Sequence, residues 1–276
     1  MSTCRVDIAA SVILLSQHSE RPALIHYQAV KAVFAYLNTT KSEGLYYWRT
    51  TRNNDLPLKP HPKPITAPSR LRQFPDHEEA HTIHGATDAT WANDKEHRRS
   101  VSGIAILLAG AVVYYRCKLQ PTIALSSTES EFAAMAETGK AVLYLRSILD
   151  ELGINQILPT TVRADNHGAI CMANSQQPTR RTKRVDIKQF AILQWTEEER
   201  MKFSDIPTQY NISDSLTKPL GRIKFYEQND VLMGRRVPIY SDQHKTHTVN
   251  TLSTCSTYRI FRVITPQDVI DSTFCQ

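Results

Sequence analysis

The chain reads as an α/β protein: a mixed five-stranded sheet with helices on both faces, preceded by a small helical region. Three observations carry this. Segments at roughly 84–91, 101–109 and 111–119 are apolar at strand length and bounded by turn residues. A long helical pattern follows, from about Ser127 to Leu152. Strand and helix then alternate over 160–165, 166–174, 183–199, 201–206 and 212–217. A run of antiparallel strands followed by strand–helix units gives a mixed sheet covered on both sides.

Each element has a local reason. Asp7 to Gln17 places Ile8, Val12 and Leu15 at helical spacing, and Ala23 to Leu37 does the same with Val30, Val33, Phe34 and Leu37. The stretch from Gly44 to Arg49 is strand-like. Pro57, Pro60, Pro62, Pro64, Pro68 and Pro75 then exclude a helix and predict an extended linker. The second and third strands form a hairpin turning at Ala109-Gly110. The long helix buries Met135, Val142, Leu145, Leu149 and Leu152 and stops at Gly153, which accepts the left-handed cap conformation. Beyond Tyr240 the chain is polar and aperiodic, and a poorly ordered tail is expected. Four segments result: 1–50, a helical region; 51–83, a proline-rich linker; 84–220, the α/β domain; and 221–276, a partly disordered C-terminal extension.

Composition sets broad bounds. The 276 residues are 41% hydrophobic, enough for a sizeable core. A net charge of +6 suits a polyanionic partner without singling one out. Cys4, Cys117, Cys171, Cys255 and Cys275 are odd in number and contain no CxxC pair, so neither a zinc site nor a disulfide framework is indicated. The uncharged stretch from Val101 to Tyr115 is too short to span a bilayer. The N-terminus lacks the order of a signal peptide, so an intracellular location, cytoplasm or nucleus, is expected.

Four carboxylates carry the chemistry. They stand in Gly85-Ala-Thr-Asp88-Ala-Thr-Trp91, Ser126-Ser-Thr-Glu-Ser-Glu131-Phe132, Val162-Arg-Ala-Asp165-Asn-His-Gly168 and Asn211-Ile-Ser-Asp214-Ser-Leu-Thr-Lys-Pro219. Each has an ordinary structural reading. Asp88 suits a turn cap. Glu131 suits a capping box with Thr128, and Ser126 with Glu129 offers the same box one step earlier. Asp165 suits a helix N-cap, and Asp214 a favourable place in the first turn of a helix. Against this, Glu131 lies four residues before Met135, about 40° from it and over the buried stripe, whereas Glu129 points away. Asp165 ends a strand, where α/β sheets place their chemistry. Four carboxylates brought to one place repel unless cations neutralise them, and two divalent ions acting on a phosphodiester are the natural occupants.

Other signals are weaker. Arg180, Arg181, Lys183 and Arg184 suit either phosphate contacts or a solvated helix start. His77, His81 and His84 have spacings that could suggest a metal, but they follow a proline-rich stretch and lack a fourth ligand, so ordinary histidines without a metal are the better reading.

The quoted segments resemble the RNase H domain of copia-type (Pseudoviridae) retrotransposon Pol polyproteins. Ala124-Leu-Ser-Ser-Thr-Glu-Ser-Glu-Phe132, Arg163-Ala-Asp-Asn-His-Gly-Ala-Ile170, Arg181-Thr-Lys-Arg-Val-Asp-Ile-Lys188 and Asp214-Ser-Leu-Thr-Lys-Pro-Leu220 carry the likeness. Val6 to Val12 and His26 to Leu37 resemble the end of the region that connects reverse transcriptase to RNase H. The family usually has His where Arg184 stands and another near Phe190.

The resemblance implies an RNase H-like fold and a nuclease that cuts the RNA strand of RNA:DNA hybrids. It implies that Asp88, Glu131, Asp165 and Asp214 are catalytic and hold two Mg²⁺ or Mn²⁺ ions. Thr90, Ser127 and Asn166 are then candidates for reading RNA 2′-hydroxyls, and Arg181 and Lys183 for phosphates. A reverse transcriptase domain is the implied protein partner, and no membrane is involved. The alternative is a catalytically silent remnant that only binds nucleic acid or a polymerase partner. An integrase of the same fold places its acids as Asp, Asp, Glu, against the Asp, Glu, Asp, Asp order here.

Overall fold

The computed structural model describes residues 5–47, 82–94, 97–174 and 183–236. Five strands form one open sheet: β1 (His84–Thr90), β2 (Val101–Leu108), β3 (Ala111–Leu119), β4 (Thr160–Ala164) and β5 (Met201–Asp205), in the order β3-β2-β1-β4-β5. β1–β2 and β2–β3 pair antiparallel, whereas β1–β4 and β4–β5 pair parallel. This is the mixed five-stranded sheet that the strand pattern predicts. The hairpin turns where expected, with Ala109 and Gly110 at φ 50° and 82°.

The helices are α1 (Ala9–Ser16), entered through a 3-10 turn at Val6–Ile8, α2 (Leu24–Thr39), α3 (Ser127–Glu151), α4 (His167–Asn174), α5 (Lys183–Glu197), α6 (Asp214–Thr217) and α7 (Arg222–Leu232). They divide between two faces because successive strand side chains point to opposite sides. On one face Ile104, Ile106 and Val162 pack with Phe132, Met135 and Val142 of α3, Ile170 of α4 and Ile192 of α5. On the other, Ala105, Leu107 and Val112 pack with Leu216 of α6, Val231 and Leu232 of α7, and Val6.

The end of α3 shows sequence dictating geometry. Gly153 takes φ +75°, its N–H donates to Asp150 O, and Ile154 N–H donates to Leu149 O. These two bonds are a Schellman motif, and they satisfy carbonyls that the helix leaves open. The predicted apolar stripe needs one correction. Leu152 is the C-cap and stands 68% exposed, because the chain has already left the helix line there.

Two further readings change. Residues 44–47 form no strand; instead Tyr46 N–H donates to Met233 O, so they run against the end of α7. Helix α7 itself was not read from the sequence. Its buried Gln228 and Asn229 interrupt the apolar pattern that would have marked it. The residues of the proline-rich stretch before 82, and the polar tail, lie outside the described residues.

Candidate metal centre

Asp88 sits on β1, the central strand, directly across from Gly103 of β2. Asp165 follows β4, the parallel neighbour of β1. Glu131 lies in the first turns of α3 on its buried side. The fold therefore draws three acids from distant parts of the chain to one end of the central strands. Each offers a carboxylate oxygen, and the three oxygens lie within 4.8 Å of one another. Ligands on opposite sides of one divalent ion are separated by about 4–5 Å, twice a metal–oxygen bond.

The capping alternatives fall away for two of these acids. Ser126 caps α3: its Oγ accepts from Glu129 N–H at 3.1 Å, and Glu129 Oε2 accepts from Leu125 N–H at 2.8 Å. Glu131 is thus not used as a cap. Asn166 Oδ1 accepts from Ala169 N–H at 3.0 Å and serves α4, which leaves Asp165 uncommitted to that helix end.

Electrostatics agree with a site built for a cation. Burial pushes the Glu131 carboxyl up to about 9, with the Asp88 and Asp165 charges adding to it, although the Ala89 N–H favours its ionised form. Glu131 is 6% exposed, and its Oε2 has no hydrogen-bond partner among the described residues. Burial also raises the Asp88 carboxyl, while Lys218 and the Thr217 hydroxyl pull it back. An orphaned carboxylate oxygen beside two further acids fits a hard divalent cation with oxygen ligands.

Asp214 is placed beside this group rather than within it. It is fully buried on α6, with Lys218 Nζ 2.8 Å from Oδ1 and Lys224 Nζ 2.5 Å from Oδ2. Lys218 Nζ also lies 3.8 Å from Asp88 Oδ2, which accepts a short hydrogen bond from the Thr217 hydroxyl. Gly103 makes this approach possible. A Cβ there would lie 2.6 Å from Thr217 Cγ2 and 2.9 Å from Ser213 O, so any larger residue would push α6 off the strand.

No family model matches the chain. It is 32% identical over 225 residues to a retrovirus-related Pol polyprotein of the tobacco transposon TNT 1-94, covering 82% of this chain and 15% of that protein. The chain belongs with the Pol polyproteins of copia-type retrotransposons. It spans about 15% of the length of the Pol polyprotein just compared. It is also 36% identical over 145 residues to secreted RxLR effector protein 161 of Plasmopara viticola, covering 52% of this chain and 82% of that one. Among solved structures, LC11-RNase H1 is similar at a TM-score of 0.39 and 17% identity, over 50% of this chain and 93% of its own.

The remaining candidates from this Pol region are scattered in role. Thr90 Oγ1 donates to Thr217 O at 3.3 Å, so it ties β1 to the end of α6. Ser127 is exposed at the start of α3, and Asn166 is the α4 cap. Arg181 lies outside the described residues; Lys183 begins α5. His84 is partly covered at the start of β1, and burial lowers it to about 4, with Arg163 and Lys202 adding to the shift. Sequence reasoning missed Thr217, Lys218 and Lys224 as partners of the acids. Lys218 stands four residues after Asp214, a helical spacing that could have flagged it. Lys224 carried no such signal.

Proposed function

We propose that this chain is a metal-dependent ribonuclease H that cuts the RNA strand of RNA:DNA hybrids within a retrotransposon Pol polyprotein. The observation that carries the reading is the convergence of Asp88, Glu131 and Asp165, with one buried Glu131 oxygen left without a partner. Family membership supports it. In this reading Asp88, Glu131 and Asp165 hold one Mg²⁺ or Mn²⁺ ion, and Asp214 with Asp88 completes a place for a second. When bound, such ions activate the attacking water and stabilise the leaving 3′-oxygen. Asn166, Ser127 and Thr90 would recognise RNA 2′-hydroxyls, and Arg181 and Lys183 would neutralise phosphates. A reverse transcriptase domain is the proposed protein partner. Segments 1–50, 51–83, 84–220 and 221–276 would then be a connection remnant, a linker, the nuclease and an extension.

The deciding experiment is cleavage of labelled RNA in an RNA:DNA hybrid with Mg²⁺ or Mn²⁺, beside a DNA duplex. Cleavage of hybrid RNA alone is expected. Asp88→Asn should reduce it by about 10³-fold, roughly 4 kcal/mol of barrier, with an unchanged circular dichroism spectrum. Hybrid binding without cleavage by the folded chain would instead favour the silent remnant, a reading to which the two lysines on Asp214 lend some weight.

A further inference from the structure

Lys218 occupies an unusual place. Its ammonium lies between two carboxylates on different elements, 2.8 Å from Asp214 and 3.8 Å from Asp88, while both of those side chains are almost wholly buried. The orphaned Glu131 oxygen belongs to the group formed by Asp88, Glu131 and Asp165. The lysines serve Asp214 and, through Lys218, reach Asp88, whereas among the described residues neither pairs with Glu131 or Asp165.

We propose that Lys218 is a resident cation at the position of the second divalent ion. This rests on the metal-dependent reading above and goes beyond it. The chain without substrate binds one divalent ion, at Asp88, Glu131 and Asp165. The second binds only when the Lys218 ammonium withdraws, because an ammonium and a metal ion compete for the same carboxylate lone pairs. Withdrawal is sterically open. The Lys218 side chain is 36% exposed on a flexible four-carbon stem, and it lines a cavity of about 60 Å³ beside Tyr36, Leu220 and Phe225. Asp214 keeps Lys224 when Lys218 leaves, so its buried charge stays paired. A substrate phosphate offers the departing ammonium a new partner. Lys218 is a positioning residue in this scheme, coupling arrival of the second ion to arrival of the polyanion.

The test counts ions. Mn²⁺ is titrated calorimetrically into the metal-free 276-residue chain, without nucleic acid. One ion per chain is expected for the parent, one for Lys218→Arg, and two for Lys218→Met. Adding Asp214→Asn to Lys218→Met should return the count to one. Two ions in the parent, or one in Lys218→Met with a native circular dichroism spectrum, would overturn the proposal and leave the nuclease reading standing. No binding by any of these chains would sink the metal centre and the proposal together. Should Lys218→Met not fold, Lys218→Gln makes the same measurement.

Discussion

Glu131 shows how a single side chain can be poorly placed for stability and well placed for chemistry. Its carboxyl is buried next to two others and lacks a full set of partners. In metal-free protein that arrangement costs free energy, so Glu131→Gln should stabilise the chain in EDTA at pH 8 while removing cleavage. A gain of about 1 kcal/mol would raise Tm by about 2–4 °C for a protein of this size; a lower Tm measured by calorimetry would refute it. His84 gives a separate pH effect. Burial depresses its folded pKa to about 4, against 6.5 when unfolded. Between those values the unfolded chain binds more protons, so the His84 contribution is intact above pH 6.5 and lost as pH falls towards 4. The full effect is at most about 3 kcal/mol. Urea unfolding at pH 7 and pH 5 should therefore differ less in His84→Gln than in the parent.

Helix α6 is only four residues long, yet it is wholly buried and brings Asp214 and Thr217 to the central strands. It cannot be stable alone, because so short a helix does not repay its own nucleation. Its position depends on Gly103, where α6 backbone and side chains come closer than any Cβ tolerates. Gly103→Ala should therefore shift α6, lower stability by about 1–3 kcal/mol, and weaken cleavage through the Thr217–Asp88 contact. Unchanged urea stability and rate in this variant would show that α6 adapts freely. A similar dependence joins α3 to α5, where a Cβ on Gly139 would meet the Trp195 ring at 2.5 Å.

The helices before the sheet and the helix after it meet in the finished molecule. Asp7 accepts from Arg5 at 2.7 Å and from the Tyr36 hydroxyl at 2.8 Å, which locks α1 to α2. Arg235 pairs with Glu43, and Tyr47 OH donates to Val112 O at 2.8 Å. Val6 shares a core with Leu216, Val231 and Leu232. Removing residues 1–47 would take away Val6, Ile13 and Leu45 and uncover the sheet face around Ala105, Leu107 and Val112 that they help to cover, at a loss of more than ~4 kcal/mol. The intact chain should unfold in urea in one transition, and the shortened one should unfold at a much lower midpoint or aggregate. Two separate transitions in the intact chain would contradict this shared core. No helix among the described residues is long and apolar enough to cross a membrane.

Much of this was legible in residue order. Strand length, the hairpin turn at Ala109-Gly110, the stop at Gly153 and the buried side of α3 all follow from local periodicity and backbone preference, which need no partner to be recognised. The four acids could be named in the same way, because each sits in a distinctive short segment. Which residue caps α3 was not legible: Ser126 and Thr128 each have a Glu three residues on, and it is Ser126 that accepts from Glu129 N–H while Glu131 is buried on the helix's inner side. Nor was the division of the acids into a group of three and an Asp214 held by two lysines. That division depends on distances between residues far apart in the chain. A carboxylate's choice between a neighbouring ammonium and an open site is made by packing, here by α6 seated on Gly103, and no local pattern encodes it.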